Sequence, residues 1–164
     1  MTRAEVGSFL DVQRRSYAHA GPGLARSWPE ADALDAHGLA SLLDDVRYAV
    51  LATARPDGRA HASPIAFSVA KRAFWIATVA GLRLRNVRAT PWASFVVSEG
   101  DREGAHRALT AEGPVVVHEG AAFGAVRGRF DEAWIERHGH APDWAVAFIE
   151  LRPERLFSHQ SRHA

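Results

Sequence analysis

Up to residue 46 the apolar positions recur three and four apart, and from residue 47 onward they mostly alternate or run together. In "AEVGSFLDVQRRSYAHA", Val6, Phe9, Leu10 and Tyr17 keep helical spacing with charges between them, which predicts an amphipathic helix. "GPGLARSWPEAD" breaks that period with two prolines and two glycines and reads as a loop. "DAHGLASLLDDV" then places Leu39, Leu42, Leu43 and Val46 on one stripe, a second short helix. "RYAVLATA" reads as a buried strand, and "RPDGR" puts Pro56 and Gly58 where a type I turn wants them. "AHASPIAFSV" alternates, with His61, Ser63, Ile65 and Phe67 on one face. Pro64 cannot donate to a ladder, so this strand needs a free edge or a bulge there.

Beyond the "AKR" turn, "AFWIATV" is a third strand, and "LRLRNVRA" is a short helix stopped before Pro91. "WASFVVS" and "RALTAEGPVVVH" follow as the fourth and fifth strands, the latter with a bend expected at Gly113 and Pro114. "AAFGAVRGRFDEAWIERHG" is helical, with Phe123, Val126, Phe130 and Trp134 on one stripe and Gly139 as its C-cap. "DWAVAFIEL" and "RLFSHQ" complete six or seven strands. Antiparallel strands joined by tight turns, with few helices and no strand–helix–strand alternation, predict a small barrel and exclude a dinucleotide-binding fold. We read residues 1–164 as a single domain, the first 46 residues forming a helical extension.

Composition narrows the function classes. Hydrophobic residues make up 47% and charged residues 24%, the balance of a globular domain, and the net charge of +1 argues against a general nucleic-acid binder. No apolar run approaches the ~20 residues that span a membrane, and the N-terminus lacks the apolar core of a secretory signal, so a cytoplasmic location is expected. With no cysteine there is no disulfide, thiolate nucleophile or cysteine-based metal site. Nine histidines raise the question of a metal. "HGH" at 138–140 ends a helix, where the dipole favours histidine anyway, and no carboxylates surround it with ligand spacing, so no metal site is expected. No nucleophile-elbow sequence supports Ser-His-Asp catalysis. Lys71, the only lysine, falls in a hairpin turn and is a poor Schiff-base candidate; the remaining basic charge is arginine, as a GC-rich coding sequence would give.

The candidate chemistry lies in "GLRLRNVRATP", residues 81–91, where Arg83, Arg85 and Arg88 gather directly behind a strand. A helix N-terminus offers unpaired N–H groups and a partial positive charge, and a phosphate satisfies both. Arg83, one turn in, adds a bidentate charge-assisted contact. Arg85 and Arg88 share a helix face that differs from that of Arg83. The same run also reads as the wet face of a short helix, the reading that suits Arg88. Thr78 and Ser63 stand equally for site residues or for ordinary strand-end and edge positions. Trp75 and Trp92 read as core or interface residues.

In order and spacing, the run "YAVLATARPDGRAHASPIAFSVAKRAFWIATVAGLRLRNVRATPWASFVV" resembles the pyridoxamine 5′-phosphate oxidase-like, flavin-binding split-barrel family. The likeness covers residues 47–98 and echoes again in "ALTAEGPVVVH" and "FIELRPERLFSH". It implies a mainly β split barrel that binds FMN, or the deazaflavin coenzyme F-420, and transfers hydride to or from a small organic substrate. It further implies a homodimer with the cofactor at the subunit interface. By position, Ser63, Pro64 and Ile65 would lie under the ring. Thr78 would end the next strand, Arg83 would take the place of the family's phosphate-binding lysine, and Asn86 would match the motif's asparagine, with Arg85 beside it. Two departures stand out: Gly81-Leu82 replaces the family's Ser-Arg, and Ala62 replaces the arginine that opens the ring-binding strand. The resemblance therefore does not extend to oxidation of the vitamin itself, and it leaves Arg85 or His61 to supplement the anion grip. A dimeric ligand-binding scaffold without catalysis is the alternative from another class. Some split-barrel relatives bind haem through a C-terminal histidine, which points to His159 and His163.

Overall fold

The computed structural model describes residues 1–100 and 106–161. Most of the polar "EGDREGAH" stretch and His163 lie outside the described residues. Helix α1 (Arg3–Ala18) opens with a capping box in which Thr2 and Glu5 satisfy each other's backbone N–H. It buries Val6, Phe9, Val12 and Tyr17. Helix α2 (Pro22–Ser27) occupies the stretch expected to be a loop. Pro22 sits in its first turn, where the missing N–H costs nothing and the fixed φ already fits. Helix α3 (Ala36–Asp45) is capped by Asp35 and buries Leu39, Leu42 and Leu43.

Strands β1 (Tyr48–Ala54), β2 (Ala60–Ala66), β3 (Ser68–Ala70) and β4 (Ala73–Thr78) follow. Helix α4 (Leu82–Ala89), β5 (Trp92–Gly100), β6 (His106–Glu119), α5 (Ala121–His138), β7 (Ala147–Leu151) and β8 (Arg155–Gln160) complete the described chain. That makes eight strands in one antiparallel system. The chain leaves β2 at Phe67 and re-pairs as β3, which periodicity alone ran into one strand. The type I′-like turn after β3 is made by Lys71 and Arg72, both with positive φ and neither a glycine.

The strand order is β2-β1-β5-β6-β7-β4-β3, with β8 added to β6. β6 belongs to both halves: Arg107–Glu112 pair with β8, and Val115–Glu119 pair with β7. The bend between them falls at Gly113, as the sequence suggests. A Cβ there would stand 2.1 Å from the Arg152 carbonyl oxygen, so only glycine lets the β7–β8 turn approach. Arg152 N–H to the Pro114 carbonyl (3.1 Å) and Glu154 N–H to the Glu112 carbonyl (3.0 Å) hold that crossing. The result is a curled, mainly β half-barrel with flanking helices, a split barrel.

Two apolar clusters flank the curled sheet. The larger lies inside the curl, where Phe74 stacks on Phe9 (centroids 5.0 Å apart) and on Phe95 (4.3 Å), so α1 contributes directly to the barrel core. Buried polar groups bind the same extension to β8: Tyr17 Oη donates to the Ser158 carbonyl at 2.6 Å, and Ser158 Oγ donates to Gln13 Oε1 at 2.6 Å. The smaller cluster joins Trp75, Phe130, Trp134 and Phe148 beneath α5. His138, at the end of α5, donates through Nε2 to the Phe67 carbonyl at 3.0 Å, pinning the helix where the chain crosses from β2 to β3.

Strand β1 departs from the expected buried strand. It alternates, and Tyr48 (68% exposed) and Val50 (41%) face outward. Val50 pairs with both Val96 and Pro64, and Trp92 lies further along the outward row of β5. An apolar strip therefore crosses the outside of three strands.

Candidate functional site

β2 is an edge strand paired only with β1, which is where a strand proline is tolerated. β3 covers β4 only from Ala73 to Trp75. The end of β4, Ile76–Thr78, thus faces β2 with no ladder between them among the described residues. This is the split in the barrel, and Arg83 spans it. Its Nε donates to Ser63 Oγ on β2 at 3.2 Å, and its Nη1 lies 3.5 Å from Thr78 Oγ1 on β4. Gly81 brings the chain into α4 without a side-chain cap, leaving the first-turn N–H groups without that partner.

A cavity of about 290 Å³ opens at this point, lined by Pro64, Ile65, Thr78, Arg83, Trp134 and Trp144 among others. Arg83 is half-buried, and burial pulls its pKa below the ordinary arginine value. Its protein partners are hydroxyls, with no carboxylate in ion-pair range among the described residues. A desolvated cation held by neutral groups is costly unless an anion joins it. His61, on the same face of β2 as Ser63, has its Nδ1 buried and without a hydrogen-bond partner.

Of the candidate residues, the fold gathers Ser63, Pro64, Ile65, Thr78 and Arg83 around one opening. Arg85 is exposed and outside the lining. Asn86 is fully buried on the inner face of α4, donating through Nδ2 to Thr53 Oγ1 at 2.9 Å, so it anchors the helix to β1. Arg88 pairs with Glu119 on the surface. Trp75 is core, and Trp92 is 41% exposed on the apolar strip. Two lining residues escaped sequence reading. Trp134 fits the α5 stripe as plain core, whereas Trp144, 50% exposed beside "APD", had only its solitary aromatic character to mark it. His159 packs against Trp28 and His106, away from this cavity.

The pyridoxamine 5′-phosphate oxidase family matches residues 37–160, about three-quarters of the chain. The chain belongs to that family. Solved structures of similar fold include a conserved hypothetical protein from Mycobacterium tuberculosis (TM-score 0.67, 22% identity), which covers 82% of this chain and 94% of its own. A FAD-binding protein from Mesorhizobium loti aligns with TM-score 0.64 and 19% identity over 79% of this chain and 96% of its own. The heme storage protein HutZ from Vibrio cholerae aligns with TM-score 0.59 and 20% identity over 74% and 92%. No sequence relative among curated proteins matches. Among the described residues no helix is long and apolar enough to cross a membrane, and no group of three or more His, Cys, Asp or Glu is placed to hold a metal.

Proposed function

We propose that this member of the family is a flavin-dependent oxidoreductase that binds FMN at the split and acts on a small organic substrate. The observation that carries the reading is Arg83, half-buried across the β2–β4 gap with hydroxyl partners and no carboxylate. A phosphate there would meet the guanidinium, and the uncapped start of α4 would add backbone N–H groups and a favourable dipole. Ser63 and Thr78 orient the guanidinium. Pro64 and Ile65, with Trp134 and Trp144, supply an apolar wall of the kind that seats a flat ring.

Bound flavin would supply reversible hydride transfer to and from its ring. The protein's share is position and water exclusion. Among the lining residues of one protomer Arg83 is the titratable side chain, and its role there is to hold an anion rather than to move a proton. Haem, which the HutZ neighbour's name raises, needs an axial His, Cys, Met or Tyr, and the lining contains none of these. The cavity falls at the low end of the ~300–1,000 Å³ usual for ligand sites. The apolar strip of Tyr48, Val50, Trp92 and Val96 runs to Pro64 at its rim, and a second copy laid on that strip would deepen the site. The proposal therefore includes a homodimer.

The test is an absorbance spectrum of the purified protein, followed by thermal-shift titrations with FMN, riboflavin and the deazaflavin coenzyme. FMN-dependent stabilisation that riboflavin does not reproduce is the expected result. Stabilisation by the deazaflavin alone would keep the site and replace the cofactor. A colourless protein indifferent to all three would overturn the reading in favour of a ligand-binding scaffold.

A further inference from the structure

A second cavity, also about 290 Å³, lies on the other side of the α5 aromatics and shares no lining residue with the first. Phe130 lines the second and Trp134 the first, their rings stacked 5.4 Å apart. In its floor Glu150 on β7 is 3% exposed, within the row where it pairs directly with Trp75 on β4. Burying a carboxylate among aromatic rings is expensive unless both oxygens are engaged. They are: His118 Nε2 meets Oε2 at 2.8 Å, and Arg152 Nε meets Oε1 at 2.6 Å.

A purely structural cluster would end there, yet His118, Trp75, Phe130, Lys71 and Arg129 also line the cavity. Glu150 engages Nε2 of His118, which leaves Nδ1 with no protein partner among the described residues. The His118 ring stacks on Trp75 (centroids 5.2 Å, 23° between planes), while the Trp75 indole N–H is already spent on the Ala70 carbonyl. Trp75 and Phe130, 5.8 Å apart and both buried, therefore reach the cavity as aromatic edges with no hydrogen-bonding demand of their own. At the mouth stand Lys71 and Arg129, both exposed and neither within ion-pair distance of a carboxylate among the described residues. With Arg152 they outnumber the two carboxylates at hand, buried Glu150 and Glu5, whose Oε1 accepts from the Lys71 backbone N–H at 2.8 Å.

We propose that this cavity is a second ligand site, specific for a small aromatic carboxylic acid. The ring would pack against the edges of Trp75 and Phe130, the carboxylate would meet Arg129 and Lys71, and His118 Nδ1 would hydrogen-bond a ring hydroxyl where one is present. No covalent step is involved. The site is independent of the flavin reading, since it uses neither Arg83 nor any residue around it.

The experiment follows the indole N–H resonances of the full-length protein during titration with benzoate, using benzamide as the uncharged match. Trp75 is assigned through Trp75→Phe. The expected result is a saturable shift of the Trp75 resonance with benzoate and at least tenfold weaker binding of benzamide. The double variant Lys71→Gln/Arg129→Gln, at two exposed positions where folding is not at stake, should weaken benzoate at least tenfold, whereas Arg83→Met should leave the curve unchanged. Salicylate should bind more tightly than benzoate, with the difference lost in His118→Phe. No saturable Trp75 shift, equal binding of benzamide, or full affinity in the double variant would overturn the assignment. A benzoate response confined to Trp134 and Trp144 and abolished by Arg83→Met would overturn it too, by placing the acid in the first cavity.

Discussion

Replacing Arg83 by methionine separates a binding role from a structural one. Without ligand, the guanidinium has two long hydroxyl contacts, at 3.2 and 3.5 Å. Hydrogen bonds of ordinary length add about 0.5–1.5 kcal/mol each, so these sit at or below the low end. Against them stands the cost of holding a half-buried cation with no carboxylate partner, the same burial that lowers its pKa. The two nearly offset, and methionine keeps the apolar stem. Stability of the ligand-free protein should therefore change by less than about 1 kcal/mol, in either direction. FMN binding should instead lose about 1.5–3 kcal/mol, the range for a hydrogen bond to a charged group, or roughly 10- to 150-fold in Kd. The assay is fluorescence-quench titration with FMN and with riboflavin, which lacks the phosphate. Riboflavin affinity should be unchanged by the substitution. An equal loss for both ligands would refute the phosphate assignment, as would a ligand-free protein destabilised by several kcal/mol.

Three further expectations concern the scaffold. Gly113→Ala should destabilise by about 3 kcal/mol or more, the upper range for overpacking, because its Cβ would meet the Arg152 carbonyl backbone at 2.1 Å; a change below 1 kcal/mol in denaturant unfolding would mean that the β6 bend and the β7–β8 turn separate freely. Asp35→Ala removes the cap that accepts from Gly38 N–H at 2.8 Å and should cost about 1 kcal/mol, read from the shift in unfolding midpoint. His138 has its pKa pushed down, first by burial and then by Arg137, Arg47 and His140, partly offset by its bond to Phe67. The unfolded state then binds the proton more readily, so the stabilisation is complete above the ordinary value of 6.5 and declines as pH falls through it toward the folded pKa. His138→Gln should flatten the fall in Tm between neutral pH and about pH 5, and parallel curves for the two proteins would show that other groups control it.

Local order was legible along the chain because period reports burial one element at a time. The α5 stripe ending in Phe130 and Trp134, the Gly139 cap, the Gly58 turn and the edge position of Pro64 all follow from side-chain spacing and backbone preference. The same local signals misjudged β1, since a strand of apolar residues looks alike whether its outer face meets protein or solvent. They also joined β2 to β3, because the crossing at Phe67 changes strand partners without changing the alternation. A helix started by Pro22 looked like a loop when its proline was counted only as a breaker.

Within the candidate site, residue types and order singled out Ser63, Pro64, Ile65, Thr78 and Arg83, and tertiary structure made them one place. Ser63 and Arg83 are 20 residues apart and meet only because the sheet curls until the β2 and β4 edges face each other across the split. Their neighbours Arg85 and Asn86 stand at other phases of the same helix, and docking of α4 sends Arg85 outward and Asn86 into the core. Trp144, Glu150 and His118 carry no local mark of function. Burial of a carboxylate and the opening of a cavity depend on register between distant strands and on the helix laid over them. The chain thus determined its elements and its fold class, through preferences that act within a few residues. Which side chains share a cavity was decided by strand register and helix docking, which act across the whole domain.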